Sequence, residues 1–174
     1  MSSPPRTYFA YSPLIDPAVF EDWRQKHGYG TFRLPEGEAA EALEVDLSFD
    51  FVSPRWGGRI ASLVKKPGKT VHGKLFRILA PDWAIIQHAE GARGGKFVEL
   101  PIQVRAGGKA LAATAFSAHP DLSTSKGPVS EDYARALAKA AEAARLPHPW
   151  VLRLKAESEI LQRVQAFGRQ QGLS

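Results

Sequence analysis

Residues 44–51, Glu-Val-Asp-Leu-Ser-Phe-Asp-Phe, alternate without a break between polar and apolar side chains. A period of two puts Val45, Leu47, Phe49 and Phe51 on one face of an extended strand, and that face has to be covered. Further strands are expected at 7–11, 59–64, 71–79, 97–104 and 110–116, with Pro67-Gly68 and Gly107-Gly108 supplying turns between neighbours. Five or six strands on short turns predict a small, strongly curved sheet or barrel.

Helical signals interrupt and then follow the strands. Asp16 can cap a helix that Pro17 begins and Gly28 closes, with Phe20 and Trp23 on one face. Residues 30–42 are polar and acidic, which predicts loop or a short helix. Pro81 and Asp82 start a short helix that runs to Glu90, ahead of the loop Ala92-Arg93-Gly94-Gly95. Beyond residue 129, Ser130 caps a helix carrying Tyr133, Leu137, Ala141 and Ala144 at helical spacing, and Leu146-Pro147-His148-Pro149 ends it. A last helix over 150–167 presents Leu154, Ile160, Leu161, Val164 and Phe167 for packing, either on its own barrel or on a second subunit, so a homodimer is compatible with the sequence. The fold class is therefore α+β. A single domain over 1–174 is expected, with 7–150 as its body and 150–174 as an amphipathic helix and tail.

Composition narrows the function. At 174 residues and 44% hydrophobic content the chain can bury a real core. No apolar run is long enough for a bilayer, and Met1-Ser2-Ser3-Pro4-Pro5-Arg6 lacks the apolar stretch of a signal peptide, so the cytoplasm is the expected compartment. The absence of cysteine removes disulfides, thiol nucleophiles and thiolate metal sites together. The net charge of +5 is uneven: acidic residues dominate up to residue 50, while Lys65, Lys66, Lys69, Arg93, Lys96, Arg153, Lys155, Arg163 and Arg169 come later. No aromatic residues interleave with these cations and no helix-turn-helix pattern occurs, so nucleic acid is not the expected partner. Attraction of a small anionic substrate explains the charge more cheaply.

Most catalytic constellations are missing. There is no Gly-x-Ser-x-Gly elbow, P-loop or dinucleotide fingerprint. His27, His72, His88, His119 and His148 are scattered and never form a helical metal-binding pair, so no metal is expected. Glu90 is the candidate that remains. Carbonyls at a helix C-terminus and apolar neighbours would both disfavour its ionised form and raise its pKa, with His88 a further perturbing group. Taken alone, the local sequence favours a solvated end-of-helix residue before an ordinary capping glycine, and the rest of the chain shifts that balance.

The ordered series Tyr8-Phe9-Ala10-Tyr11-Ser12-Pro13-Leu14, Trp56-Gly57-Gly58-Arg59-Ile60-Ala61, Pro67-Gly68-Lys69-Thr70-Val71-His72-Gly73 and Ala89-Glu90-Gly91 resembles the gamma-glutamyl cyclotransferase family, AIG2-like proteins included. Ser130-Glu131-Asp132-Tyr133 and Leu146-Pro147 are similar to that family's closing motifs. The resemblance spans roughly residues 7–160 and rests on several weak motifs in the right order. It implies a closed mixed barrel flanked by helices, and an enzyme in which the α-amine of a gamma-glutamyl amide attacks its own γ-carbonyl, releasing 5-oxoproline and a free amine without a cofactor. The family's catalytic glutamate carries over to Glu90. Its substrate-binding loop carries over to Tyr11, Ser12, Pro13 and Leu14, and its pocket tyrosine to Tyr133. Two departures accompany the match. Pro13 has no N–H to offer where the family uses backbone donors, and Phe97 stands where the family often has a tyrosine. Arg93 or Lys96 could supply a compensating positive charge. A catalytically silent barrel that binds a ligand or a protein partner is the alternative these departures support.

Overall fold

The computed structural model describes residues 3–172, so the first two and last two residues of the expected 1–174 domain, including the end of its tail, lie outside the described residues. Strand β1 (Arg6–Ala10) leads through a single 3-10 turn, Pro13–Ile15, into helix α1 (Pro17–Lys26). Asp16 caps α1 by accepting from the Ala18 N–H at 3.0 Å, as its sequence predicted. Two long strands follow, β2 (Glu38–Ser53) and β3 (Gly58–Ile78), then helix α2 (Trp83–Ala89), the hairpin β4 (Phe97–Ala106) and β5 (Lys109–Ala118), and helices α3 (Glu131–Ala143) and α4 (His148–Gln170). Among the described residues the five strands close into a barrel in the order β1-β3-β2-β4-β5. All pairs are antiparallel except β1 with β5, which makes the barrel mixed.

Three sequence expectations need correction. Residues 38–42, expected as loop or short helix, are the start of β2, paired to 71–75 of β3. Their acidic side chains stay at the surface while Ala40 and Ala42 face the core, so the period of two was present but too weak in hydrophobicity to read. Pro67-Gly68 does not turn one strand into its neighbour. Leu43 pairs with Thr70 and Val45 with Lys65, so 66–69 bulge from a single strand opposite Glu44, whose carboxylate accepts from the Gly68 N–H at 2.8 Å. The reversal between β2 and β3 lies at 54–57 instead. By contrast Gly107 and Gly108 both have positive φ and make the β4–β5 hairpin turn.

The third correction concerns α4. Leu154 is buried where α4 packs on α3, but Ile160, Val164 and Phe167 are each about 60% exposed. The second half of the helix docks along another line, with Leu161 half-buried, Gln165 donating to the Val129 carbonyl at 2.9 Å and Arg169 3.1 Å from Glu131, so the apolar spacing predicted a face that is only partly the covered one.

Residues 45–53 and 58–65 continue the β2–β3 ladder past the segments that pair with β1 and β4. This arm carries Phe51, Ile60 and Ala61 over one end of the barrel and forms a wall of the cavity described next.

Candidate active site

Helix α2 is held against the barrel by Trp83 and Ile86, both buried. Trp83 donates its indole N–H to Glu99 Oε1 at 2.6 Å and carries the Arg6 guanidinium 3.8 Å over its ring. The helix ends at Glu90, whose N–H donates to the Ile86 carbonyl at 2.9 Å. Gly91, at φ +76°, then reverses the chain. This stop aims the Glu90 side chain at the barrel end, where it lines a cavity of about 410 Å³.

The opposite wall is the turn after β1. Tyr11, Ser12, Pro13 and Leu14 all line the cavity, as do Phe97 and Tyr133. The Leu14 N–H is already taken by Ser12 Oγ at 3.2 Å, and Pro13 has none. The Tyr11 and Ser12 N–H groups donate to no protein acceptor among the described residues. Two backbone donors therefore remain on this wall. The Tyr11 hydroxyl points into the barrel, donating to the Phe116 carbonyl at 2.6 Å.

Tyr133 reaches the cavity because α3 starts hard against the β2–β3 turn. Ser130 Oγ accepts from the Tyr133 N–H at 3.1 Å and donates to the Trp56 carbonyl at 2.7 Å. Gly58 permits this approach: a Cβ there would stand 2.9 Å from the Pro128 carbonyl oxygen and the Ser130 nitrogen. The Tyr133 hydroxyl lies against the Ala61 backbone, which hydrogen-bonds it, and both residues line the cavity. Phe97 packs edge-on to Phe51, at 5.0 Å between ring centroids, and offers no hydroxyl.

Arg93 and Lys96 part company. Lys96 lines the cavity, whereas Arg93 is exposed on the Gly-rich loop, outside the cavity lining, with Nη1 3.4 Å from His88 Nδ1. The loop after Gly91 folds back over α2, with the Ala92 N–H bonded to the Gln87 carbonyl, and this carries Arg93 to the His88 side. Arg55, on the β2–β3 turn, is a second cation in the lining that the sequence did not single out. Neither Arg55 nor Lys96 has an acidic partner among the described residues, and Glu90 is the one acidic group in the lining.

Glu90 has its pKa pushed up to about 7. Burial is the cause, and a hydrogen bond donated by Tyr8 to Glu90 Oε1 opposes it. His88 contributes nothing to this shift, because its ring is turned away, with Nδ1 2.8 Å from the Tyr29 hydroxyl. Tyr8 is the residue sequence reasoning missed. Read as part of a strand and of the first motif but given no role of its own, it is buried on β1 among Phe76, Trp83 and Phe116. The scattered histidines also proved less separate than they look: the rings of His27 and His88 lie 5.1 Å apart beside Trp23. No cluster of three potential metal ligands occurs among the described residues.

A closed mixed barrel with helices on its flanks and a cavity at one end is the gamma-glutamyl cyclotransferase-like fold. Residues 70–154 match the AIG2-like family. Among solved structures the chain is similar to YkqA from Bacillus subtilis, with 22% identity and a TM-score of 0.72, covering 89% of this chain and 54% of that one. It thus spans about half the length of YkqA. It is also similar to a gamma-glutamyl cyclotransferase, with 20% identity and a TM-score of 0.70 over 91% and 99% of the two chains. A gamma-glutamyl cyclotransferase specific to glutathione from yeast aligns over 92% and 97% with 10% identity and a TM-score of 0.65. Comparison with curated protein sequences gives no match. The resemblance drawn from short motifs therefore stands at the level of the fold, which is gamma-glutamyl cyclotransferase-like, and of residues 70–154, which match the AIG2-like family. No helix among the described residues is long and apolar enough to cross a membrane.

Proposed function

We propose that this protein is an enzyme of the gamma-glutamyl cyclotransferase type, cleaving a gamma-glutamyl amide and releasing 5-oxoproline and a free amine. The observation that carries the reading is Glu90, a carboxyl near pKa 7 in the wall of a cavity whose other side is the Tyr11–Leu14 turn, where the Tyr11 and Ser12 N–H groups have no protein acceptor among the described residues. A group half-protonated at neutral pH can accept and return a proton in one catalytic cycle. In the reaction, Glu90 takes a proton from the substrate's ammonium and the freed amine attacks the γ-carbonyl, forming the ring C–N bond. Glu90 returns its proton to the other nitrogen as that C–N bond breaks, and relays a second from the ring nitrogen in the same way, so the amine departs as an ammonium. Of the ammonium's three protons, one stays on the lactam and two leave with the departing amine, so the proton count closes.

Nucleophile and electrophile sit in one substrate, and holding them in ring-closing geometry is worth as much as about 7 to 11 kcal/mol. Little further machinery is needed. The Tyr11 and Ser12 N–H groups are suited to the substrate's carboxylate or carbonyl oxygens, and Lys96 is the cation nearest in role to the one the sequence left open between two residues. The test is 5-oxoproline release from a panel of gamma-glutamyl amides, comparing the natural protein with Glu90→Gln. Release that the substitution abolishes is expected. No release from any member, with the protein folded, would favour the second reading, a silent barrel that binds a ligand, for which the lost donors at Pro13 and Leu14 are the specific support.

A further inference from the structure

We propose that Tyr8 is a positioning residue for Glu90: its phenolic O–H pins one carboxyl oxygen, Oε1, so that the other, Oε2, alone carries the proton to and from the substrate. The inference rests on Glu90 being the proton carrier. Tyr8 donates to Oε1 across 82 residues of sequence, and it is not itself part of the cavity lining. Oε2 has no protein partner among the described residues. Since no buried side-chain polar atom among the described residues lacks one, Oε2 opens to the cavity.

The proton cannot exchange these places cheaply. Were it on Oε1, the Tyr8 hydroxyl would have to accept it, and the phenolic hydrogen would be left buried without an acceptor. Nor can Tyr8 swing away. Its ring is 2% exposed, stacked on Phe76 at 5.8 Å and edge-on to Phe116 and Trp83 at 6.0 and 6.3 Å. Burial, followed by the adjacent Glu90, holds its phenol well above the ordinary range, so it is a permanent donor. A hydrogen bond to an ionised carboxylate is stronger than one to the neutral acid. Tyr8 thereby keeps Glu90 from drifting still higher as burial drives it up, and so holds it in the range where it works in both directions.

The other charged and titratable groups around Glu90 are few. Tyr11 at the end of β1 and Tyr133 on α3 are phenols raised above their ordinary range, first by burial. Arg55 and Lys96 line the same cavity, and His88 on the same helix faces Tyr29. Among the described residues the Tyr8 hydroxyl is the one hydrogen-bond donor on the Glu90 carboxyl.

The deciding experiment titrates Glu90 directly by carbon NMR of glutamate-labelled protein, its resonance assigned by loss in Glu90→Gln, in the natural protein and in Tyr8→Phe. Phe fills the same space and removes only the hydroxyl. The expected result is an upward shift of the Glu90 midpoint by about one pH unit in Tyr8→Phe. Fluorinated tyrosine at position 8, a stronger donor that disturbs packing little, should move it down. The acidic limb of the 5-oxoproline pH–rate profile should follow both changes. An unchanged midpoint in both proteins would overturn the proposal. The titration needs no turnover, so an inactive protein with a shifted midpoint would count against the enzymatic reading while leaving the Tyr8–Glu90 link intact.

Discussion

Glu90→Gln tests the buried carboxyl through stability as well as activity. The folded-state pKa of about 7 exceeds the ordinary 4.5 by roughly 2.5 units, and at 1.36 kcal/mol per unit that difference amounts to about 3 kcal/mol. The sign follows from proton counts. Between pH 4.5 and 7 the native state holds a proton that the unfolded chain has lost, so stability is full below pH 4.5, falls across this window and is level above 7. Glutamine cannot ionise, and its amide oxygen still accepts from Tyr8. The variant should therefore match the natural protein near pH 4.5 and exceed it at pH 8. Solvent reaching Oε2 through the cavity discounts the gain to about 2 kcal/mol. Urea unfolding of both proteins in half-unit steps from pH 4.5 to 8.5 measures the difference, and titration of every other group cancels. A stability difference that does not change with pH would refute the reasoning, and a variant weaker at pH 8 would refute it outright.

Two further outcomes follow from the same geometry. If Lys96 binds a substrate carboxylate, Lys96→Ala should raise KM at least tenfold with kcat within twofold, while Arg93→Ala, outside the cavity lining, should leave both within twofold; equal effects of the two substitutions in steady-state kinetics would separate the cavity from charge selection. Gly73 lies where β3 passes β1, and a Cβ there would overlap the Ala10 carbonyl oxygen and stand 2.7 Å from Phe9 Cζ. Gly73→Ala should cost at least about 2 kcal/mol in urea unfolding, and a loss under about 0.5 kcal/mol would show that the two strands can part freely.

What was legible in the chain was local. The alternation at 44–51, the Asp16 and Ser130 caps, the Gly107-Gly108 turn and the end of α2 at Glu90 each depend on neighbours a few residues away. What was not legible depends on pairing across the chain. Pro67-Gly68 has the composition of a hairpin turn, and only the register of β2 on both sides of it reveals a bulge in one strand. Which face of the second half of α4 meets the body is likewise invisible in a periodic pattern, which reports an apolar face and not whether anything covers it.

The candidate site divides along the same line. Glu90 could be singled out because a carboxyl at a helix end has a definable local environment, and apolar neighbours were enough to anticipate the sign of its shift. Tyr8 could not, because its significance is a contact with a residue 82 positions away. One signal was nonetheless available. In β1 Tyr8, Phe9 and Ala10 are all buried, so neither face of the strand meets solvent there. A tyrosine in such a strand has a hydroxyl that must find an acceptor inside the protein. Glu90 is the group that answers that demand here. Replacing Tyr8 with phenylalanine therefore removes an orienting bond to the carboxyl while leaving no buried donor behind, which is why its effect should appear in the titration of Glu90 more than in the stability of the barrel.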